Sequence, residues 1–288
     1  MDISVLIPVC NKENVEYFKM ALDSIINQTY QAKEIVIVKD GILSDDLNKT
    51  INSYITEFPN FIHSYQLNKC RCLGEVLRYG VEKCKYDYVA RMDADDVSIT
   101  TRFELQVDEL IKNKDIDIIG GYIEEYDEKM ENLIDVRKVP LISKNIIKFA
   151  KRQCPFNHGS VIIKKSTLLK IGNYSNYLLE DYELWARMII NKFNMKNIPY
   201  ILVKNRTGNE MYKRRSGLKQ VKKIFQIERV LLNYKIINLI EFFCNIIIRI
   251  LVAFCPVKLK KFLYKYIIRK FICWKNIDKY TINGVLYQ

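Results

Sequence analysis

Residues 3–92 alternate between short apolar runs rich in β-formers and longer segments with helical periodicity, and this alternation constrains the fold more than any other feature of the chain. ISVLIPV (3–9), EIVIVKD (34–40), FIHSYQL (61–67) and YDYVARM (86–92) read as strands. Between the first two, VEYFKMALDSIINQT (15–29) sets Val15, Phe18, Leu22, Ile25 and Ile26 at helical spacing. Residues 44–55, with Ser44 or Asp45 as cap, and residues 74–84 supply two more helices. A β-α-β-α-β-α-β order predicts an α/β fold with a mainly parallel sheet and helices on both faces. Beyond residue 97 the pattern is mixed, with helices near 101–113 and 181–192 and strands near 116–126 and 160–164. At 49% hydrophobic residues the chain can bury a sizeable core, which argues against disorder.

In open α/β sheets, ligands bind beyond the carboxyl ends of the strands. Asp40 ends one predicted strand and Asp93, Asp95 and Asp96 follow another, so distant parts of the sequence meet on one rim. Like charges gathered this closely repel unless something offsets them. Hard cations such as Mg²⁺ or Mn²⁺ take one or two carboxylates together with substrate phosphates. Asp93-Ala-Asp95 is therefore a candidate metal–nucleotide site, whereas Asp115-Ile-Asp117, at the start of a strand, fits a solvated turn. The plain alternative is a cap for a helix over residues 98–113, which needs one acid and not three.

The ordered string SVLIPVCNKEN…ALDSIINQTY…EIVIVKDG…YVARMDADD…RFELQ resembles the nucleotide-binding half of a family 2 glycosyltransferase of the GT-A fold. IGGYIEEYDE, PFNHGSVIIKK and LLEDYELWARM continue the resemblance, which spans roughly residues 2–210, and they resemble the bacterial enzymes that build surface polysaccharides, such as the amylovoran-type transferases. It implies a catalytic domain over residues 1–210, a UDP-sugar donor, and Mn²⁺ or Mg²⁺ as cofactor. Asp40 would bind the uracil edge, although Lys39 stands where the family has a first acid. Pro8 and Val9 would contact base or ribose through their backbone. Asp93 would meet ribose or diphosphate, Asp95 would ligate the metal, and Asp181 would be the catalytic base, with Glu180 beside it. The reaction implied is a single displacement that inverts the anomeric centre.

Asp181 is also credible from the residues alone, since it opens a helix carrying Leu184, Trp185, Met188 and Ile189, where the macrodipole favours a carboxylate. An ordinary N-terminal helix acid would look the same. His158, in FNHGS, is a candidate contact to diphosphate or acceptor, though loop histidines are also commonly just solvated. Lys213, Arg214 and Arg215, in MYKRRSG, could close over the leaving phosphates or simply begin a basic region.

Charge divides the chain. Residues 1–203 carry 27 Lys/Arg against 29 Asp/Glu, and residues 204–288 carry 19 against 4, so the net +13 resides in the C-terminal part. Residues 211–288 read as a basic, amphipathic helical region. In 236–255, Asn238, Glu241, Asn245 and Arg249 form one polar stripe, and Lys258, Lys261, Lys265 and Arg269 form a basic one. Residues 236–255 are long enough to span a bilayer, but Glu241 and Arg249 make that costly unless they face protein. Peripheral attachment to an anionic membrane surface is favoured. Together with the resemblance, this implies the cytoplasmic face of a bacterial inner membrane and a lipid-linked oligosaccharide as acceptor. A soluble helical bundle packed on the catalytic domain is the plain alternative.

No basic leader precedes the first strand, and the eight cysteines show no paired zinc spacing, so free thiols in a reducing cytoplasm are expected. A sugar-nucleotide nucleotidyltransferase would want a Gly-rich phosphate loop after the first strand, and PVCNKEN has no glycine. No nucleic-acid partner is expected, because the C-terminal cations alternate with bulky aliphatics. A catalytically inactive membrane scaffold is a further alternative.

Overall fold

The structure is a computed structural model and describes residues 1–177, 179–207 and 217–254. Arg214, Arg215 and the basic repeat from Lys258 to Arg269 lie outside the described residues.

The first half follows the alternation read from the sequence: β1 (Ile3–Cys10), α1 (Val15–Ile26), β2 (Glu34–Asp40), α2 (Asp45–Glu57), β3 (Ile62–Gln66), α3 (Leu73–Lys83) and β4 (Tyr88–Arg91). These four strands are parallel, in the order β3-β2-β1-β4. Their register fixes the rim. Cys10 lies opposite Asp40, so β1 and β2 end together. Arg91 lies opposite Leu6, and Met92 N adds one more bond to the Leu6 carbonyl at 3.1 Å. The acidic turn therefore begins beside the last residues of β1.

The second half contains β5 (Val97–Ser98), α4 (Arg102–Lys112), β6 (Ile118–Tyr126), β7 (Leu133–Arg137), α5 (Ser143–Ala150), a 3-10 turn (His158–Ser160), β8 (Ile162–Lys164), α6 (Lys165–Lys170), α7 (Glu180–Ile190) and β9 (Met195–Arg206). It extends the sheet as β4-β8-β6-β9-β5, with β7 beside β6. Here β6 and β9 are parallel, and the other pairings are antiparallel. The parallel expectation thus holds for β1–β4, while the rest of the sheet is mixed. One cause is local: a short turn joins β6 to β7, closed by Asp127 accepting from Glu131 N at 2.9 Å and Asn132 Nδ2 at 2.6 Å, and so short a link cannot make a parallel crossover.

Helices cover both faces. Phe18, Leu22, Leu47 and Phe103, from α1, α2 and α4, pack on one side. Leu77, Leu168, Trp185 and Met188, from α3, α6 and α7, pack on the other. The outer face of α7 presents Tyr182 and Ala186 to a third cluster with Ile227 and Leu231 of α8 (Gly217–Asn233) and Phe242 of α9 (Leu239–Phe254).

The orientation of α9 is the reverse of an ordinary surface helix. Asn238 and Glu241 cap it reciprocally, each side chain accepting from the other's backbone amide (2.8 and 3.0 Å). The predicted polar stripe then turns toward the protein: Glu241 pairs with Lys151 at 3.0 Å, and Asn245 donates to the Lys151 carbonyl at 2.8 Å and to Glu228 at 3.0 Å. Arg249 pairs with the fully buried Glu228 at 3.1 Å. The apolar face points outward, with Ile240 76% and Leu251 65% exposed. Among the described residues no helix is long and apolar enough to cross a membrane.

Candidate active site

The acidic turn after β4 gives each of its three carboxylates a different environment. Asp93 forms a salt bridge to the buried Arg91, two residues earlier at the strand end. Asp96 is itself buried, accepting from Asn205 Nδ2 at 2.6 Å and from the Arg206 backbone amide at 2.9 Å. It anchors the end of β9. Arg206 also donates through Nε to the Asp95 carbonyl at 2.7 Å, with its guanidinium 3.7 Å from the centre of the Tyr17 ring. The Asp95 carboxylate, half-buried in the turn, accepts from its own backbone amide. Burial, then the charges of Asp93 and Glu13, push its pKa up to about 6. Burial, then the charges of Asp93 and Asp95, hold Asp96 well above the usual carboxylate range.

A half-buried carboxylate among other carboxylates, whose charge is disfavoured by burial and by its neighbours, fits a divalent cation. Among the described residues no three His, Cys, Asp or Glu side chains gather at one point. The protein's share of such a site would then be Asp95 with Asp93, leaving substrate phosphates and water to complete the shell. The helix-cap alternative does not hold, because α4 starts only at Arg102 after Thr101.

A cavity of about 1170 Å³ opens beside this turn, and Asp93, His158, Glu180 and Asp181 all line it. They come from the turn after β4, the 3-10 turn and the start of α7. Gly74 brings the last of these close: a Cβ there would lie 1.8 Å from the Ser175 carbonyl oxygen and 3.0 Å from Glu180 Cβ, so α3 meets the segment leading into α7 with no space between them. Gly159 does the same for the turn, its Cβ position lying 3.1 Å from Asp93 Oδ2. Asp181 accepts from Tyr182 N at 2.7 Å through Oδ1, and the Cys154 thiol approaches Oδ2 at 3.4 Å. Burial, followed by the Asp181 charge, raises Glu180 to about 7. His158 lies 2.9 Å from the Tyr174 hydroxyl, with its ring edge-on to Trp185, and burial beside Arg91 holds its pKa well below the ordinary imidazole value. It is a neutral group.

The other expected residues lie at the rim but do not line this cavity. Val9 is buried, side chain and backbone together, and Pro8 in the same strand is half-buried. Asp40 Oδ1 accepts from Arg71 N at 2.7 Å, which fixes the carboxylate over the loop before α3. Lys39 turns away, its Nζ 3.5 Å from Asn48 Oδ1 on α2. Sequence reasoning missed Arg91, Asn205 and Arg206. Arg91 stands two residues before the cluster and was findable as its counter-charge, whereas Asn205 and Arg206 are more than a hundred positions away from Asp96 and carry no local signal.

Residues 4–172 match the family described as Glycosyl transferase family 2. The chain belongs to that family. Among curated family relatives, UDP-Gal:alpha-D-GlcNAc-diphosphoundecaprenol beta-1,3-galactosyltransferase of Escherichia coli is 36% identical over 93% of this chain and 97% of its own. The amylovoran biosynthesis glycosyltransferase AmsE of Erwinia amylovora is 34% identical over 91% of this chain and 97% of its own. Among solved structures, S. aureus TarS 1–349 in complex with UDP-GlcNAc shares the fold with a TM-score of 0.64 at 14% identity, over 94% of this chain and 78% of that one. The mannosyltransferase PcManGT from Pyrobaculum calidifontis, in complex with GDP-Man and Mn²⁺, gives 0.61 at 11% identity, over 86% and 68%. This family 2 chain therefore has the GT-A-type fold expected from its motifs.

Proposed function

We propose that the chain is an inverting hexosyltransferase that moves a sugar from a UDP-sugar to a hydroxyl of a lipid-linked oligosaccharide, in capsule, O-antigen or exopolysaccharide synthesis. One observation carries this reading: Asp93 after β4 and Glu180–Asp181 at the start of α7, distant in sequence, face a single cavity. The names of the E. coli and Erwinia relatives support the donor, acceptor and product classes.

In this reading the uridine lies along the rim formed by Pro8, Val9 and Asp40, and Asp95 with Asp93 holds Mn²⁺ or Mg²⁺. The cation, when bound, neutralises the charge that develops on the departing diphosphate. Asp181 removes the acceptor proton as the hydroxyl attacks the anomeric carbon from the face opposite UDP. Tyr182 N and the Cys154 thiol orient that carboxylate. Glu180, partly protonated near neutral pH, is suited to donate a hydrogen bond to the acceptor. His158, neutral and close to Tyr174, offers a ring nitrogen at the cavity wall without adding charge. Division into a catalytic domain over 1–210 and a C-terminal region over 211–288 fits the position of α8 and α9 outside α7.

The reading also includes peripheral attachment at the cytoplasmic face of the inner membrane. A helix that turns its polar stripe inward and leaves Phe243, Ile247 and Leu251 exposed is suited to lie in the interfacial layer of a bilayer. The test is transfer from a panel of UDP-hexoses to a sugar–diphosphate–lipid acceptor, with the anomeric configuration of the product read by NMR. Inverted product is expected, and Asp181→Asn should lower turnover by roughly 10²–10⁴-fold. Transfer with retained configuration, or full activity in Asp181→Asn, would remove the assignment.

A further inference from the structure

Building on the lipid-linked acceptor of that reading, we propose that Arg137, Lys138 and Arg152 bind the acceptor's phosphate groups, and that the cavity-facing side of α9 receives the first isoprene units. All three cations line the cavity, as do Ile240, Cys244, Ile248 and Val252 of α9. Two contacts fix their order. Arg137 Nη2 donates to the Cys154 carbonyl at 3.2 Å, and the Cys154 thiol reaches Asp181 Oδ2 at 3.4 Å, so the basic group begins one residue away from the carboxylate that takes the proton. Arg152 stands two positions before Cys154, and its carbonyl accepts from Arg249 Nη2 on α9 at 2.6 Å. The apolar cavity wall of α9 is the next strip round the helix from that arginine.

Carboxylate, cations and apolar helix thus follow one another across the cavity. A sugar joined through phosphate to a polyprenol presents hydroxyl, phosphates and lipid in the same sequence. The charge balance also fits. Glu241, which lines this end, is paired with Lys151 and also lies within reach of the Arg152 charge, so two cations face one carboxylate there, and Lys138 makes no ion pair among the described residues. Arginine forks suit phosphate oxygens because two parallel N–H donors can be used at once. The exposed Ile240 and Ile248 let a lipid chain run from the cavity onto the outer face of α9 without crossing a polar barrier.

The test is calorimetric titration of the full chain, saturated with UDP and Mn²⁺, with farnesyl diphosphate as probe. The preceding UDP titration is a separate arm: wild type that binds no UDP overturns the proposed function and not this site. Where UDP binds, Lys138→Ala/Arg152→Ala should weaken farnesyl diphosphate at least tenfold while UDP affinity stays within twofold. Lys138→Arg/Arg152→Lys should restore most of the binding. Ile248→Glu should weaken farnesyl diphosphate but not inorganic pyrophosphate, and farnesol should bind more weakly than its diphosphate. Unchanged farnesyl diphosphate affinity in the alanine pair would overturn the site. Parallel loss of UDP binding would reassign the cations to the donor, and pyrophosphate binding as tightly as farnesyl diphosphate would remove the lipid half.

Discussion

Asp93, Asp95 and Asp96 share one turn but meet different partners, so their substitutions should separate cleanly. Asp96 is buried and ties down Asn205 and the Arg206 amide, and losing it leaves buried donors unsatisfied. Asp96→Ala should lower the unfolding free energy by about 2 kcal/mol, read by urea denaturation. Asp95→Ala should leave stability unchanged or slightly raised, since it removes a carboxylate that its neighbours disfavour. Glu180 gives a pH signature. Its folded pKa of about 7 lies above the ordinary 4.5, so the folded state holds the extra proton and stability falls as pH rises between these values. Above pH 7 the full cost persists. Glu180→Gln should therefore stabilise the chain by about 3 kcal/mol at pH 8 and by almost nothing at pH 4, measured as the difference between thermal midpoints at the two pH values.

Among the elements, α3 and α9 make the sharpest tests. Gly74 sits in the first turn of α3, where alanine would ordinarily gain about 1 kcal/mol of helix propensity. The Ser175 carbonyl, 1.8 Å from where its Cβ would be, reverses the sign. Gly74→Ala should cost about 2–3 kcal/mol and also lower turnover, because the displaced segment carries Glu180 and Asp181. On α9, Arg249→Ala leaves Glu228 as an uncompensated buried charge, a loss of about 3–5 kcal/mol that double substitution with Glu228→Gln should largely recover. Element boundaries through β4, and the meeting of Asp40 with the acidic turn at one rim, were legible because period and strand order determine both. The polar stripe Asn238–Arg249 was legible too, but not its direction. Periodicity says which residues share a face; only the partners, Lys151 and Glu228, say that the face turns inward. The antiparallel β7 and β8 were illegible for a related reason, since strand direction depends on connections and neighbours and not on the strand's own residues.

At the scale of the whole molecule, the sheet gathers acidic groups on one rim while α8 and α9 turn an apolar face away from it. In the proposed reading, the rim meets a polar donor and the adjoining cavity an amphiphilic acceptor. Vesicle co-sedimentation should show binding to anionic membranes that falls at high salt, and Phe243→Ser/Ile247→Ser/Leu251→Ser should reduce it at least tenfold with no change in thermal midpoint, because these side chains are 58–65% exposed. The most direct measurement for the account as a whole is calorimetric binding of UDP to the full chain, with Mn²⁺ and with EDTA, for wild type and Asp95→Asn. Binding should require the metal and be lost in the variant. UDP binding of equal strength in all four titrations, or none in any, would contradict it.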